Sequence, residues 1–295
     1  RGDRRRIMPI VLEHLTHTYQ PGSAMQATAV RDVSLTVEDG EFLGIIGHTG
    51  SGKSTLVQHM NGLLQPTSGR VIVNGIDLAD KKTRKDIRRQ VGMLFQYPEY
   101  QLFEESIRAD VAFAPKNLGV PAEKIEEHVR AAMEKAGLPY DEFAERSPFE
   151  LSGGQKRRVA LAGILATAPS ILILDEPMAG LDPAGREETL TLIKRLNDEG
   201  TTIVMVSHSM DDIARLADRV AVMNMGELFT IGRTDEVFSR SGELLNMGLD
   251  VPYASRLSAL LRERGLDVPE GLYLKEQLRD YLVGLYFKQH RSGNA

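Results

Sequence analysis

A phosphate-binding loop is the first feature of this sequence with recognisable chemistry. The stretch GHTGSGKS has the spacing G-x-x-x-x-G-K-[ST] and lies between a predicted buried strand, EFLGIIG, and a predicted helix. In such a loop, glycines let backbone amides approach phosphate oxygens, the lysine contacts the terminal phosphates and the following hydroxyl coordinates Mg²⁺. The sequence therefore predicts a nucleotide held by Gly47, His48, Thr49, Gly50, Ser51, Gly52, Lys53, Ser54 and Thr55.

Two adjacent carboxylates, Asp175 and Glu176, follow a second apolar strand in SILILDEP. Ligands of open parallel sheets bind at the carboxyl ends of the strands, where these side chains would lie. Phosphoryl transfer needs a carboxylate to hold Mg²⁺, expected of Asp175, and one to polarise the attacking water, expected of Glu176. A solvated strand end is the alternative interpretation.

A histidine, His208, follows a third apolar strand in TTIVMVSHS. A single histidine at such a position is more often structural than catalytic. The phosphate site predicted at the same edge of the sheet favours a contact with the terminal phosphate.

A second glycine turn, LSGGQ at residues 151–155, precedes an amphipathic basic helix. It has the form of another phosphate cradle, because backbone amides at a helix N-terminus bind anions. One nucleotide needs only one cradle, so these residues raise the question of whose phosphate they hold.

The composition excludes several classes of protein. The 295 residues are 42% hydrophobic and 26% charged, which suits one large domain with an appendage. A net charge of -5 gives no general attraction to nucleic acid or to anionic membranes, and we expect no nucleic-acid partner. The chain has no cysteine, which excludes disulfides and thiolate metal sites and fits a reducing compartment. The longest apolar run, residues 159–174, is shorter than the roughly 20 residues of a membrane-spanning helix.

Strand and helix patterns predict an α/β fold of the phosphate-loop NTPase class, with a parallel sheet core, an antiparallel β subdomain and a helical subdomain at about 98–168. Residues 8–233 form the predicted nucleotide-binding domain, and residues 1–7 are expected to be a cloning remnant or a disordered start. Residues 234–295 are predicted to form a small helical dimerisation unit. The unit is expected to pair through an apolar stripe of Leu274, Leu278, Leu282 and Leu285. Packing of this stripe onto its own domain is the alternative interpretation.

The motifs together resemble the ATP-binding cassette (ABC) ATPases, because the phosphate loop, Gln96, LSGGQ, LILDEP, AGLD and His208 occur in that family's order. The resemblance implies that the LSGGQ turn caps a nucleotide held by an opposing subunit. It also implies that Tyr19 stacks on adenine, although a strand-end aromatic is otherwise more often core packing. It further implies that Gln96 contacts Mg²⁺ and the attacking water, that His208 contacts the γ-phosphate and that Lys53 neutralises charge. Across the interface, it implies that Asp182 links the two sites and that the nucleotide is contacted by Ser152, Gly153, Gly154 and Gln155.

A narrower resemblance is to the ATP-binding subunits of energy-coupling factor transporters, particularly the second of two paralogous subunits. It rests on FQYPEYQLFEESIRADVAFAPKN, SPFELSGGQKRRVALAG and GLDVPYASRLSALLRERG. The resemblance implies ATP and Mg²⁺ as cofactors and a peripheral position at the cytoplasmic face of the cell membrane. The implied partners are a sister ATPase, with a homodimer as the alternative, a transmembrane coupling protein and a substrate-binding membrane subunit for vitamins. An ATPase of another ABC importer and an ABC ATPase outside transport remain alternatives.

The same resemblance predicts that the coupling protein docks beside Gln96, on the segment YPEYQLFEES. An ordinary solvated acidic loop is the alternative interpretation. The residues predicted to make contact are Tyr97, Glu99, Tyr100, Leu102, Phe103, Glu104 and Glu105.

Overall fold

The computed structural model of the protein describes residues 9–80 and 83–291. Residues 1–7, for which a cloning remnant or a disordered start is predicted, lie outside this range. The described chain contains two sheets, helices that pack on the larger sheet, a helical subdomain and a small C-terminal helical cluster.

Ten strands lie within the described residues and form a four-stranded antiparallel sheet, in the order β2-β1-β4-β5, and a six-stranded sheet, in the order β10-β9-β3-β8-β7-β6. In the second sheet, β9, β3, β8, β7 and β6 are parallel, and β10 pairs with β9 in antiparallel register. The strands are β1 Ile10–Tyr19, β2 Ala27–Val37, β3 Phe42–Gly47, β4 Ser68–Val73, β5 Ile76–Asp77, β6 Val91–Leu94, β7 Ile171–Asp175, β8 Thr202–Val206, β9 Arg219–Asn224 and β10 Glu227–Arg233.

Twelve α-helices lie within the described residues, together with short 3-10 turns at Pro98–Gln101 and Pro148–Glu150. None of these helices is both long enough and apolar enough to cross a membrane. The helices are α1 Lys53–Met60, α2 Arg84–Gln90, α3 Ile107–Leu118, α4 Ala122–Lys135, α5 Tyr140–Phe143, α6 Gly153–Leu165, α7 Pro183–Asp198, α8 Met210–Leu216, α9 Thr234–Ser239, α10 Ser241–Asn246, α11 Tyr253–Glu263 and α12 Lys275–Arg291.

The six-stranded sheet has a hydrophobic cluster on each face. Strands β3, β7 and β8 are buried along their whole length, as expected of apolar runs in a covered parallel sheet. Successive residues of a strand point to opposite faces: Ile173 packs in the cluster between this sheet, the antiparallel sheet and α1, whereas Leu174 packs in the cluster with α7 and α8. The predicted α/β fold with a parallel core is therefore confirmed.

The helical subdomain has a core of its own, built from α3, α4, α5 and α6. The apolar run at residues 159–174 divides as predicted into the end of α6 and strand β7, with a turn between them. The subdomain presents the first turn of α6 to solvent, since Ser152 and Gly153 are exposed.

The C-terminal region divides at a different place from the predicted boundary at Arg233. Helices α9 and α10 pack into the main core through Val237, Phe238 and Leu244. A separate small cluster begins with α11 and contains Ala254, Val268 and Leu278, with Leu282 packed against it. Because α9 and α10 are buried against the larger sheet, the chain leaves the main core and enters the small C-terminal cluster only near residue 252.

The predicted leucine stripe is not a single exposed surface. Leu274 packs against the main core, whereas Leu278 and Leu282 pack inside the small C-terminal cluster. The large apolar side chains that α12 exposes are instead Val283, Tyr286 and Phe287. Three of the four leucines therefore pack onto their own chain, as in the alternative interpretation.

Candidate active site

The phosphate loop connects β3 to α1 and requires glycine at two points of close backbone approach. Gly47 has φ 153° and Gly52 has φ 97°. A Cβ atom at Gly47 would lie 2.3 Å from the carbonyl oxygen of Met223, and one at Gly52 would lie 2.2 Å from that of Ala29. Any side chain at either position would therefore displace the loop from the strands beside it.

Lys53, at the start of α1, places its ammonium group inside the loop. Only 6% of the residue is exposed, and Nζ donates hydrogen bonds to the carbonyl oxygens of Gly47 at 2.8 Å and His48 at 2.7 Å. Burial lowers the pKa of Lys53, while the charges of Glu176 and Asp175 raise it. The group is a buried cation beside two acids, which suits a ligand that brings several negative oxygens.

Asp175 is the last residue of β7 and is buried beside α1. Burial raises the pKa of its carboxyl group, and a hydrogen bond from the Ser54 side chain and the charge of Lys53 lower it. A hydroxyl and a carboxylate oxygen thus lie together next to the phosphate loop. These are the oxygen ligands that Mg²⁺ takes from proteins when phosphates supply the others.

Glu176 has a left-handed backbone, with φ 52°, held by a hydrogen bond from its N–H to the carbonyl oxygen of Val206 at 3.0 Å. A bulky residue in this region is uncommon and often marks a functional position. Burial raises the pKa of its carboxyl group. Its Oε1 is buried and accepts no hydrogen bond from the described residues. An unpartnered buried carboxylate oxygen can receive a hydrogen bond from a bound water.

His208 follows β8 and contacts Glu176. The backbone N–H of His208 donates to Oε2 of Glu176 at 3.3 Å, and Nε2 of its ring lies 3.4 Å from Oε1 of Glu176. Burial, together with the charge of Lys53, lowers the pKa of the imidazole. The neutral ring is therefore favoured, and it has one N–H available for a phosphate oxygen.

Strand order brings these residues to one edge of the sheet. Strand β8 lies between β3 and β7, and Val206 pairs with both Ile45 and Asp175. The result is an open cleft of ≈ 370 Å³, within the roughly 300–1,000 Å³ of small-molecule sites. Its lining comprises Ala29, Thr49, Gly50, Gly52, Lys53, Ser54, Thr55, Gln96, Asp175, Glu176, Val206 and His208.

Three predicted nucleotide contacts lie around this cleft. Tyr19 is 40% exposed at the end of β1, with its hydroxyl 3.2 Å from Oγ1 of Thr55. Ser51 is buried beneath the loop. Nε2 of His48 donates to the carbonyl oxygen of Met247 at 2.5 Å, so this loop side chain is held by the segment after α10. The contact of His48 with the C-terminal region had no signal in the sequence.

The LSGGQ turn lies outside the cleft lining and forms the N-terminus of α6. The Oγ of Ser152 accepts a hydrogen bond from the N–H of Gln155 at 3.3 Å, and the Gln155 side chain accepts one from the N–H of Ser152 at 3.1 Å. This capping box leaves the amides of Gly153 and Gly154 at an exposed helix start. Asp182 similarly caps α7, accepting from the N–H of Gly185 at 2.8 Å, and also lies outside the cleft lining.

Arg157 is a site residue that the sequence analysis missed. It is 3% exposed, and its guanidinium donates to the carbonyl oxygens of Pro177 and Ala179, both at 2.8 Å. The same group contacts Oε2 of Glu99 at 3.2 Å. One buried cation thus joins α6, the loop after Glu176 and the turn after Gln96. In the sequence it is one of three consecutive basic residues, and nothing there distinguishes it from its neighbours.

Two residues of the predicted docking segment are not exposed for docking. Glu99 is largely buried against Arg157, and Leu102 is buried in the core of the helical subdomain. The aromatic residues Tyr97, Tyr100 and Phe103 are exposed, as is Glu105, while Glu104 is half-buried. The segment therefore presents an aromatic surface with a smaller acidic part than the sequence predicted.

We expect Arg157→Leu to destabilise the chain strongly, by about 3 kcal/mol, because it leaves buried carbonyl oxygens and a carboxylate without their donor. Arg158→Leu is the matched control, since this neighbour contacts Glu188 at a more exposed position and should cost less than about 1 kcal/mol. Urea unfolding of both variants measures the difference. Equal midpoints would show that Arg157 does not join the three elements.

Comparisons with known proteins agree over most of the chain. Residues 30–179 match the family model described as ABC transporter. The chain is 51% identical over 278 residues to the energy-coupling factor transporter ATP-binding protein EcfA2 of Clostridium perfringens, covering 94% of this chain and 98% of that protein. It is 56% identical to the EcfA2 protein of Symbiobacterium thermophilum, again covering 94% and 98%.

The tail matches at residues 252–289 the model of the energy-coupling factor transporter EcfA1 C-terminal domain. That model carries the name of the other paralogue, but the agreement with EcfA2 proteins extends over almost the whole chain and therefore has more weight.

Solved structures of related proteins have the same fold. The structure of cbiO1 from Clostridium perfringens, part of the ABC transporter complex cbiONQ, has a TM-score of 0.72 and 33% identity, covering 86% of this chain and 99% of that chain. A dimeric post-hydrolysis state of the ATP-binding cassette MJ0796, bound to ADP and phosphate, has a TM-score of 0.68 and 30% identity, covering 76% and 98%.

Proposed function

Because this chain belongs to the ABC ATPases, as an EcfA2-type ATP-binding subunit of an energy-coupling factor transporter, we propose that it powers the uptake of vitamins or other micronutrients. The ATP-driven step is the closure and reopening of an ATPase pair on a membrane coupling protein, at the cytoplasmic face of the membrane. One observation carries this proposal: the phosphate loop and the carboxylates share one cleft, while the LSGGQ turn lies outside it. In this proposal, one chain contributes parts to two nucleotide sites.

Hydrolysis transfers the γ-phosphoryl group of ATP to water and yields ADP and phosphate. Glu176 orients the attacking water through Oε1, which accepts no hydrogen bond from the described residues, and takes a proton from that water; the raised pKa of the carboxyl group makes it a better base near neutral pH. Lys53 neutralises charge that develops on the γ-phosphate, and the neutral His208 donates a hydrogen bond to it.

Mg²⁺ fits the oxygen-rich corner between α1 and β7. Ser54 and Asp175 are already hydrogen bonded there, and Gln96 lines the same cleft. These three residues would hold the ion, which neutralises charge on the β- and γ-phosphate oxygens when bound.

The second nucleotide site of each chain lies across the subunit interface. Ser152 and the amides of Gly153 and Gly154 form an exposed helix N-terminus, which favours a phosphate oxygen. Head-to-tail pairing with a sister ATPase places this turn over the partner's cleft, and Asp182 at the start of α7 links the two sites. The cassette that this chain resembles is dimeric in its ADP- and phosphate-bound state, which supports pairing of two ATPase domains.

The exposed aromatic residues after Gln96 are the proposed docking surface for the membrane coupling protein. Tyr97, Tyr100 and Phe103 offer the aromatic contact that dominates many interfaces, and Glu105 lies beside them. The buried ion pair between Glu99 and Arg157 connects this segment to α6 and to the loop after Glu176. Displacement of Gln96 by a bound nucleotide can reach the docking surface through these contacts.

We expect charge reversal at Glu104 and Glu105, both to lysine, to reduce co-purification with the coupling protein by about tenfold or more, because the proposed docking pairs these carboxylates with basic side chains of that protein, which would then meet like charges. ATP binding by the soluble ATPase pair should stay unchanged. The same reversal at Glu123 and Glu127, exposed on α4, is the control. Normal co-purification of the first variant would place docking elsewhere.

The C-terminal unit is proposed to stabilise pairing of the two ATPases, because α12 exposes Val283 and Phe287 one helical turn apart. We expect Val283→Glu combined with Phe287→Glu to raise the dissociation constant of the pair by about tenfold or more, without unfolding the chain, since both side chains are exposed. Arg279→Glu on the same helix controls for charge. Analytical ultracentrifugation measures the constant, and an unchanged value would contradict a role in pairing.

Native purification followed by mass identification of the subunits tests the assembly. We expect a sister ATPase, a transmembrane coupling protein and a substrate-binding membrane subunit, with ATP turnover that rises when the membrane subunits are present. Recovery with the membrane subunits of a different importer, or with none, would contradict the proposal.

A further inference from the structure

A pair of buried histidines lies beneath Tyr19, outside the catalytic cleft. His59, near the end of α1, is 0% exposed, and His17, two residues before Tyr19 on β1, is 8% exposed. Their rings are 4.7 Å apart, with Nε2 of His59 3.1 Å from Nδ1 of His17. Neither residue contributes to the cleft lining, and the hydrolysis chemistry does not use them.

Backbone carbonyls determine the proton positions in this pair. Nδ1 of His59 lies 2.7 Å from the carbonyl oxygen of Thr55, and Nδ1 of His17 lies 3.0 Å from that of Gln65. Since a carbonyl oxygen only accepts, each Nδ1 atom donates to its own carbonyl oxygen, and Nε2 of His59 lies against the His17 ring. Burial lowers the pKa of His59, which agrees with the neutral ring.

Tyr19 is held between this pair and the phosphate-loop helix. Its ring meets the His17 ring edge to face, with centroids 4.5 Å apart, and its hydroxyl lies 3.2 Å from Oγ1 of Thr55. Thr55 also supplies the carbonyl that fixes His59. The contacts therefore form a closed circuit from the phosphate-loop helix through both histidines to Tyr19 and back.

We propose that His17 and His59 are positioning residues for base recognition, which hold the half-exposed Tyr19 ring where it stacks on the adenine of ATP. This inference rests on the proposed function, in which Tyr19 is the adenine contact. The circuit fixes the ring relative to the phosphate loop, so that base and phosphates are recognised at a set separation. The histidines accordingly contribute to the affinity for ligands that carry a base, and not to the affinity for the phosphate chain itself.

Two ligands separate this role from a general structural role. ATP has both a base and phosphates, whereas inorganic tripolyphosphate offers only phosphates to the loop. Calorimetric titration of the purified full chain with each ligand in the presence of Mg²⁺ gives the two dissociation constants. We expect His17→Ala to weaken ATP binding about tenfold, as expected for the loss of a base-stacking contact, and to change tripolyphosphate binding less than twofold.

Three further variants complete the test. His59→Leu should show the same ligand pattern with a smaller loss for ATP. Tyr19→Ala should weaken ATP binding at least as much as His17→Ala. The variant that combines Tyr19→Ala with His17→Ala should bind ATP no more weakly than Tyr19→Ala alone, because the histidine acts through the tyrosine. His128→Ala is the control, since this histidine makes a similar bond to a carbonyl oxygen, that of Ala166, within the helical subdomain. It should leave both constants unchanged.

Equal losses for ATP and tripolyphosphate in the histidine variants would overturn the inference, because they would show that the pair supports the phosphate loop. Additive losses in the double variant would also overturn it. If Tyr19→Ala has no effect on ATP binding, the proposed adenine contact fails, and the histidine inference fails with it. ATP hydrolysis by the wild-type chain would then still stand, so the two failures are distinguishable.

Discussion

Glu176→Gln is expected to leave ATP binding nearly unchanged and to reduce turnover by about 10²–10⁴-fold, the usual contribution of a general base. The amide has the same shape as the carboxylate but cannot accept the proton of the attacking water. The raised pKa of the Glu176 carboxyl group, and its Oε1, which accepts no hydrogen bond from the described residues, support the proposed role as the base. Asp175 is less suited to this role, because it is hydrogen bonded to Ser54.

Steady-state phosphate release by the assembled ATPase at saturating ATP measures this effect, with the dissociation constant for ATP measured in parallel. Glu123→Gln, at an exposed position on α4, is the control for loss of a carboxylate and should turn over normally. Turnover of Glu176→Gln close to the wild-type rate would exclude Glu176 as the principal base.

Ser152→Arg should abolish most turnover in the assembled ATPase, by at least about 100-fold at the affected site, while the isolated chain still binds ATP. The reason is geometric: Ser152 lies outside this chain's own cleft, so in the proposed pairing its added bulk and charge affect only a nucleotide held by the opposing subunit. Lys53→Ala should behave in the opposite way and lose ATP affinity in the isolated chain, because Lys53 lies inside the phosphate loop.

Ser152→Ala separates the effect of bulk from the loss of the helix cap. It removes the oxygen that accepts from the N–H of Gln155, at a cost of about 1 kcal/mol in stability, but adds no charge. We expect it to retain much more turnover than Ser152→Arg. If isolated Ser152→Arg loses ATP affinity as badly as Lys53→Ala, the assignment of this turn to the opposing subunit is wrong.

Most residues of the cleft could be predicted from sequence because they belong to local patterns, whereas Gln96 was implied only by the family resemblance, and Ala29 and Val206 were not predicted. The phosphate loop has fixed spacing, and Asp175 and His208 each follow a continuous apolar strand. Parallel strands end at the same edge of a sheet, so these motifs converge wherever such strands are neighbours. Local spacing together with one rule of sheet geometry was therefore sufficient to predict the cleft, but not the chemical roles of its residues, which the variants above test.

The tertiary structure alone decided which polar and apolar residues are buried. Arg157, Glu99 and Leu102 look like surface residues in sequence, yet they pack where α6 meets the turn after Gln96. Leu274, Leu278 and Leu282 were predicted to lie on one apolar stripe, but Leu274 packs against the main core and the other two pack in the small C-terminal cluster.

The histidine pair shows the physical reason most clearly. His17 and His59 are 42 residues apart, and their contact depends on how β1 packs against α1. Hydrophobic periodicity indicates which face of a helix or strand is buried, but it does not indicate which other helix or strand covers that face. The sequence by itself therefore determined which residues meet at the strand ends, and only the packing of distant elements decided how Tyr19, Arg157 and the docking segment are held around them.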